Sequence, residues 1–583
     1  MRAALARRIA LLGLLGSLVA ATAAASARRD LLPEAFEQGL YSRPVAMAAY
    51  APSARAEVAE QVLDGRLRIT GSSIEIHTLV ADPAYLRPAD LTRARSLPND
   101  VEIDLIQQGE ALIPRQRGPQ PSAHGWWEWT TEPGRVWREP GEDYARAALP
   151  FALVQRNANC THNGVLMLLL RDGKVLPRGA VQISSETCQY LKFDLWGFVD
   201  VRFASVTADD KAQRAAQYQA ELAARLPTRP LAALAGEQID PSAFSIGDPQ
   251  ADSRHGLLYQ GLHYSSECPT RHGPYPYCEV LDLPSFSLAK SVLAAVALMR
   301  IEQRYPGSAD STLSQWIDHP ACQSEAWQRV RLRDLLDMAS GHYDSSHYLS
   351  DEEADMVSAF FRAERHADKL AFACGAYSAQ EAPGQRWVYR TSDTYLLGSA
   401  LNSLLRHQTG DPGQDIFRDV VVAEVYAPLA LSPTAQRSRR SYDEVAQPLF
   451  GWGLTLLADD LLKLARFLGP QQGRIGTQQV LDPALLAQAM QRDAGRPGLQ
   501  AAHLARFRYQ LGLWARDLQP VLGCAAPTWV PFMSGFGGLT VALFPNDLIW
   551  YKFADDGELA SIDFAEPAKA AAKLADYCQR KPD

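Results

Sequence analysis

Ser287 and Lys290 lie in Leu283-Pro284-Ser285-Phe286-Ser287-Leu288-Ala289-Lys290-Ser291, the one Ser-x-x-Lys of this 583-residue chain. A neutral serine hydroxyl is a poor nucleophile and needs a base. Residues 292–300 are almost wholly apolar, which predicts a buried helix with the serine in its first turn. A lysine three residues on then shares the serine's face. From there its amine can draw the hydroxyl proton, provided burial on the apolar helix lowers the amine's proton affinity. The helix N-terminus would turn its partial positive charge toward an attacked carbonyl. A Ser-x-x-Lys by itself arises by chance in a chain this long. Its place after a proline, at the head of an apolar helix, is what singles it out.

The elements that must position this pair run from about residue 255 to the C-terminus. Strands are predicted at 256–264, 539–544 and 548–553, the last two joined by Pro545-Asn546-Asp547. Helices are predicted at 287–305, 332–338, 460–468 and 567–578. Helices with a terminal antiparallel hairpin in one unit point to an α+β architecture. Ahead of them, residues 28–226 read as a separate β-rich module. Residues 67–79 alternate as a half-buried strand does. Residues 165–175 form a hairpin around Asp172-Gly173, and 191–206 are rich in β-branched and aromatic residues. Residues 209–226 read as a helix with Thr207 as a candidate N-cap. The proline-bearing stretch 227–254 reads as a linker between this module and the region 255–583. In the module, His124-Gly125-Trp126-Trp127-Glu128-Trp129 could stack on sugar rings, although aromatic residues are more often simply packed. Asn159-Cys160-Thr161 has the form of a glycosylation acceptor, with a cysteine in its middle.

The net charge of −8 argues against a nucleic-acid surface, and no Lys/Arg run suggests one. Arg2, Arg7 and Arg8, the short apolar run 9–21 and Ala25-Ser26-Ala27 read as a secretory signal peptide over 1–27, cleaved near Ala27. That run is short for a bilayer span, and no later stretch predicts one. Export to the periplasm or beyond makes the eight cysteines candidates for disulfides. Neighbour pairing would give Cys160–Cys188, Cys268–Cys278, Cys322–Cys374 and Cys524–Cys578, though spacing alone leaves the connectivity open. No Cys-x-x-Cys or histidine-rich spacing suggests a metal, and no cofactor is implied.

Four further segments stand beside Ser287. They are Leu335-Leu336-Asp337-Met338-Ala339-Ser340-Gly341; Pro383-Gly384-Gln385-Arg386-Trp387-Val388-Tyr389-Arg390-Thr391; Gly451-Trp452-Gly453-Leu454; and Phe532-Met533-Ser534-Gly535-Phe536-Gly537-Gly538. In this order they resemble the serine β-lactamase-like hydrolases. That group includes class C β-lactamases, D-alanyl-peptide hydrolases, family VIII esterases and aminohexanoate-dimer hydrolases. The resemblance implies a β-lactamase/transpeptidase-like fold, an antiparallel sheet flanked by helices with a helical subdomain. It implies Ser287 as nucleophile, Lys290 as its proton acceptor and Tyr389 as the phenol that shuttles the proton to the leaving group. It implies an oxyanion hole from the backbone N–H groups of Ser287 and Phe536. Substrate would be bound by Thr391, Met533, Ser534 and Gly535.

Two departures bear on the substrate. The family's Tyr-x-Asn is here Tyr389-Arg390-Thr391, and a threonine cannot reproduce both hydrogen bonds of an asparagine amide. The lysine that opens the family's third motif and attracts a carboxylate is here Met533, which carries no charge. These changes favour ester or amide hydrolysis of a small molecule over destruction of an anionic β-lactam. β-Lactamase or D-alanyl peptidase activity remains an alternative. So does a catalytically inactive cell-envelope binding or sensor protein, since a fold never guarantees activity.

Overall fold

The computed structural model describes residues 31–578 apart from 61, 73, 75, 238, 354–355, 502–504, 558–561 and 577. The signal peptide read at 1–27 lies outside the described residues. The chain forms two units. The first comprises the described residues up to Val154 with Thr161–Leu222 and Glu267–Leu281; the second comprises Gln155–Cys160, Ala223–Ser266 and the residues from Asp282 onward.

Unit 1 is the β-rich region expected ahead of the hydrolase-like segment. Eight of its strands pair in a closed antiparallel circuit. From Gly134–Arg138 the order runs Ala111–Pro114, Val101–Gln108, Gly65–Ser72, Leu191–Ser205, Arg178–Thr187, Thr161–Arg171 and Ala145–Gln155, which returns to Gly134–Arg138. Closure leaves this circuit without a free edge. The stretch expected as one strand over 67–79 is two, Gly65–Ser72 and His77–Ala81, both pairing with Leu191–Ser205. The Asp172-Gly173 hairpin turn has φ of 51° and 72° at its two residues, the doubly positive pair of a type I′ turn. The tryptophans of the 124–129 segment are packed. Trp127 is fully buried and donates to the Ala94 carbonyl at 2.9 Å, while Trp129 stacks on Phe151 with ring centroids 4.2 Å apart.

Unit 2 carries a nine-stranded sheet. Its order is Thr228–Pro230, Leu262–Ser265, Asp252–Tyr259, Ile549–Ala554, Leu539–Leu543, Trp529–Gly535, Leu513–Asp517, Phe507–Gln510 and Leu499–Gln500. Only the first pairing is parallel. Residues 227–254, read from sequence as a linker, hold the strand Thr228–Pro230 and the short helix Pro241–Phe244. Leu231, Leu234, Ile239 and Phe244 anchor them in an apolar core with Trp514, Phe532, Trp550 and Phe564. The strand expected over 256–264 is a hairpin, because Gln260-Gly261, with φ of 49° and 78°, makes a two-residue turn. Ala458–Leu468 and Ala565–Leu574 form helices at two of the predicted places.

Cys268–Cys278, Cys322–Cys374 and Cys524–Cys578 are disulfides, Cys160 and Cys188 are also disulfide-bonded, and no described cysteine is free. Among the described residues, no helix is long and apolar enough to cross a membrane.

Candidate active site

The strand Leu283–Pro284 pairs with Thr455–Leu456 and delivers the chain to a tight turn before Ser287. Phe286 there adopts φ 38°, a left-handed conformation that strains a bulky residue and persists only where its surroundings hold it. The holding groups are identifiable. The Phe286 N–H donates to Asn159 Oδ1 at 3.0 Å, the Ser285 hydroxyl donates to the same oxygen at 3.1 Å, and the Gly453 N–H does so at 2.9 Å. Asn159 Nδ2 returns a bond to the Leu454 carbonyl at 3.2 Å. Ser285 and Leu454 also exchange two bonds, at 3.0 and 3.1 Å. One asparagine from the turn 155–160 thus ties the nucleophile turn to the Gly451–Leu454 motif. Asn159 is buried with its amide engaged in this network, so the folded chain offers no acceptor for a glycan.

After the turn the predicted helix forms in three styles. Lys290 N bonds Ser287 O at 3.0 Å in a three-residue turn. Lys290–Ala295 is wound as a π-helix and Val296–Arg304 as an α-helix. Single-turn π segments of this kind recur at functional sites. Lys290 is 1% exposed, while Ser287 is half-buried. Lys290 Nζ reaches Ser287 Oγ at 2.8 Å, Thr391 Oγ1 at 2.9 Å and the Gly451 carbonyl at 3.3 Å. An ammonium fills all three. A neutral amine has only two N–H groups, and giving both to Thr391 and Gly451 leaves its lone pair for the Ser287 proton. Gly451 must be glycine, since a Cβ would stand 2.4 Å from Thr394 Oγ1 and 2.7 Å from Thr391 Cγ2.

Tyr389 is buried beside this amine, its ring centroid 4.8 Å from Lys290 Nζ. Its ring is set by Trp387 at 5.9 Å and Trp514 at 6.3 Å, and the preceding Val388 N–H donates to the Met338 carbonyl at 2.8 Å. Thr391 opens the helix Thr391–Thr409 and is buried. Its N–H and its hydroxyl both donate to Glu352, each at 2.6 Å. Burial pushes the Glu352 carboxyl above the usual carboxylate range, against the pull of Lys290 and the two bonds from Thr391. The other residue of this motif, Arg390, points away from the site. It is buried, stacked over Tyr377 at 4.2 Å and paired with Asp393 at 3.3 Å.

The strand Trp529–Gly535 closes the other side. Met533 is fully buried and Ser534 nearly so. A Cβ on Gly535 would lie 3.1 Å from the Ser285 carbonyl, so the strand end runs against the nucleophile turn. Phe536 follows, its ring 5.6 Å from that of Phe286. Ser287, Lys290, Tyr389, Thr391 and the 533–536 segment are therefore gathered in one place. Reading the sequence missed Asn159 and Glu352. Asn159 stands 126 residues before Ser285, and Glu352 lies in an acidic run, Asp351-Glu352-Glu353, that looks like a solvated helix face. No described cluster of histidine, cysteine or carboxylate side chains is arranged to hold a metal ion.

A comparison with curated proteins found no match. Among solved structures, a candidate 6-aminohexanoate-dimer hydrolase from Bacillus anthracis is 14% identical, with a TM-score of 0.43 over 57% of this chain and 81% of that one. A penicillin-binding protein homolog from Caulobacter crescentus is 15% identical, with a TM-score of 0.38 over 57% and 96%. EstCE1, a hydrolase with promiscuous acyltransferase activity, is 16% identical, with a TM-score of 0.38 over 60% and 98%. The beta-lactamase family profile matches residues 283–559. That span takes in Ser287, Lys290, Tyr389 and the Trp529–Gly535 strand, and over it this chain is similar to the beta-lactamase family.

Proposed function

We propose that this protein is an exported hydrolase that cleaves an ester or amide of a small molecule through an acyl-enzyme on Ser287. The observation that carries the reading is the 2.8 Å contact between the buried Lys290 amine and the Ser287 hydroxyl. Neutral Lys290 takes the hydroxyl proton as Oγ attacks the substrate carbonyl carbon. The oxyanion that forms accepts from the backbone N–H groups of Ser287 and Phe536, each such donor contributing on the order of 3 kcal/mol. The Tyr389 phenol protonates the departing alkoxide or amine and recovers its proton from the Lys290 ammonium. Water then gives up a proton along the same route, attacks the acyl carbon, and the acid leaves as Ser287 regains its hydrogen.

The departures at the substrate side favour an uncharged ester or amide. Met533 offers no charge to a carboxylate, and the Thr391 hydroxyl is already engaged by Lys290 and Glu352. The disulfides support an oxidising compartment. The test is covalent labelling with a fluorophosphonate, with hydrolysis of p-nitrophenyl acyl esters measured alongside. Wild type should label on Ser287 and turn over short esters, and Ser287→Ala should do neither. A folded wild type that neither labels nor hydrolyses overturns the reading. Rapid turnover of a chromogenic cephalosporin would move the substrate class to β-lactams.

A further inference from the structure

Glu352 has no place in the reaction as written, yet it touches the residue that touches the base. It lies on the short helix Ser350–Glu353, and its two oxygens accept from the two donors of Thr391. A threonine hydroxyl has one proton. Committing that proton to Glu352 leaves only lone pairs facing Lys290, 2.9 Å away. Thr391 Oγ1 becomes an acceptor and nothing else. The Gly451 carbonyl, at 3.3 Å, is an acceptor by nature. A neutral Lys290 that spends its two N–H groups on these oxygens keeps its lone pair for Ser287.

We propose that Glu352 is a positioning residue of the catalytic centre, which through Thr391 aims the Lys290 lone pair at Ser287 and electrostatically favours the protonated amine. This rests on the reading of Ser287 and Lys290 given above. The ionisable groups that face Glu352 are Lys290, Arg390, Asp393 and Tyr377. Arg390 and Asp393 already pair with each other at 3.3 Å, which leaves Lys290 as the cation the carboxylate serves. Replacing Glu352 by glutamine reverses the device. An amide nitrogen at that position donates to Thr391 Oγ1, and the hydroxyl proton turns toward the Lys290 lone pair.

The experiment measures fluorophosphonate labelling rate and ester kcat/KM against pH for wild type, Glu352→Gln, Thr391→Ser and Thr391→Val. Glu352→Gln should lose about tenfold or more in rate and move the acid limb of the profile about half a pH unit or more toward acid, because the ammonium has lost its carboxylate. Thr391→Ser keeps the hydroxyl and should lose clearly less than Thr391→Val, which should fall with Glu352→Gln. In the Thr391→Val background, Glu352→Gln should add little, since the two act as one unit. An unmoved acid limb in Glu352→Gln, or losses that simply add in the double variant, overturns the proposal. If Glu352→Gln does not fold, equal profiles for Thr391→Ser and Thr391→Val overturn it instead. Failure of wild type to label at all would sink the Ser287 reading, a result distinct from either.

Discussion

Two lysines of unit 2 are buried side chains in contrasting sockets. Lys290 is surrounded by oxygen: a serine hydroxyl, a threonine hydroxyl and a carbonyl, with Glu352 behind them. Lys369 is surrounded by rings. Its Nζ lies 4.9 Å from the centroid of Phe360 and 5.2 Å from that of Trp452, and it donates to the Phe360 carbonyl at 2.9 Å. Burial pushes its amine down to about 7, with Glu364 pulling the other way. Gly451 and Trp452 are adjacent in sequence and serve one amine each. Burial, then, does not by itself make a catalytic base. Lys369 has a weakened hold on its proton among rings and a carbonyl, whereas Lys290 has acceptors that fix the direction of its lone pair.

The sharpest way to break this comparison is to remove each amine in turn. Lys290→Met should abolish labelling and ester hydrolysis by at least about a thousandfold, while Lys369→Met stays within about threefold. A comparable loss in Lys369→Met, with the protein still folded, would put the ring-lined amine into the reaction. A smaller effect tests what aims the nucleophile. Asn159→Leu removes the bonds that Asn159 makes to the strained turn at Phe286 and should lower kcat about a hundredfold with KM little changed. Asn159→Asp keeps the accepting oxygen for three of those donors and should remain within about tenfold of wild type. Equal losses in both variants would show that the bracket does not act through those donors.

The smallest effect is on stability and carries a pH signature. Between about 7 and the ordinary amine value, the unfolded chain holds a proton on Lys369 that the folded chain has released. The unfolded state binds more protons there, so Lys369 makes stability rise with pH across that window; below it the fold must confine an ammonium among rings. Lys369→Met should flatten that part of the profile and add on the order of 2 kcal/mol near neutral pH. Denaturant unfolding at several pH values reads both. An unchanged slope would mean that the Lys369 ammonium is as well accommodated folded as unfolded.

Legibility from sequence followed the reach of each interaction. Ser287 and Lys290 meet across one helical turn, so their spacing carried the contact. The Asp172-Gly173 turn was legible because the residues it needs are its own, whereas Gln260-Gly261 made an equally tight turn that the strand reading passed over. The segment 227–254 looked like a linker because short helices and a three-residue strand leave no periodic pattern. Its apolar side chains nevertheless enter a core that they cannot announce locally. Thr391 was weighed for what an asparagine would do toward a substrate. Its bonds to Lys290 and Glu352 run inward and depend on a carboxylate 39 residues away in sequence.

The amino-acid order alone carried the proposed reaction type, because a hydroxyl and an amine three residues apart on an apolar helix can serve as nucleophile and base by local geometry. It also carried the loss of charge at Met533, a matter of residue type. Only the tertiary structure decided how that pair is aimed. The strain at Phe286 is held by an asparagine from a distant turn, and the lone pair of Lys290 is directed by a glycine carbonyl and a threonine answering to Glu352. Hydrogen bonds reach about 3 Å whatever the separation along the chain. The groups that set direction are therefore fixed by folding, while those that supply reactivity are fixed by identity.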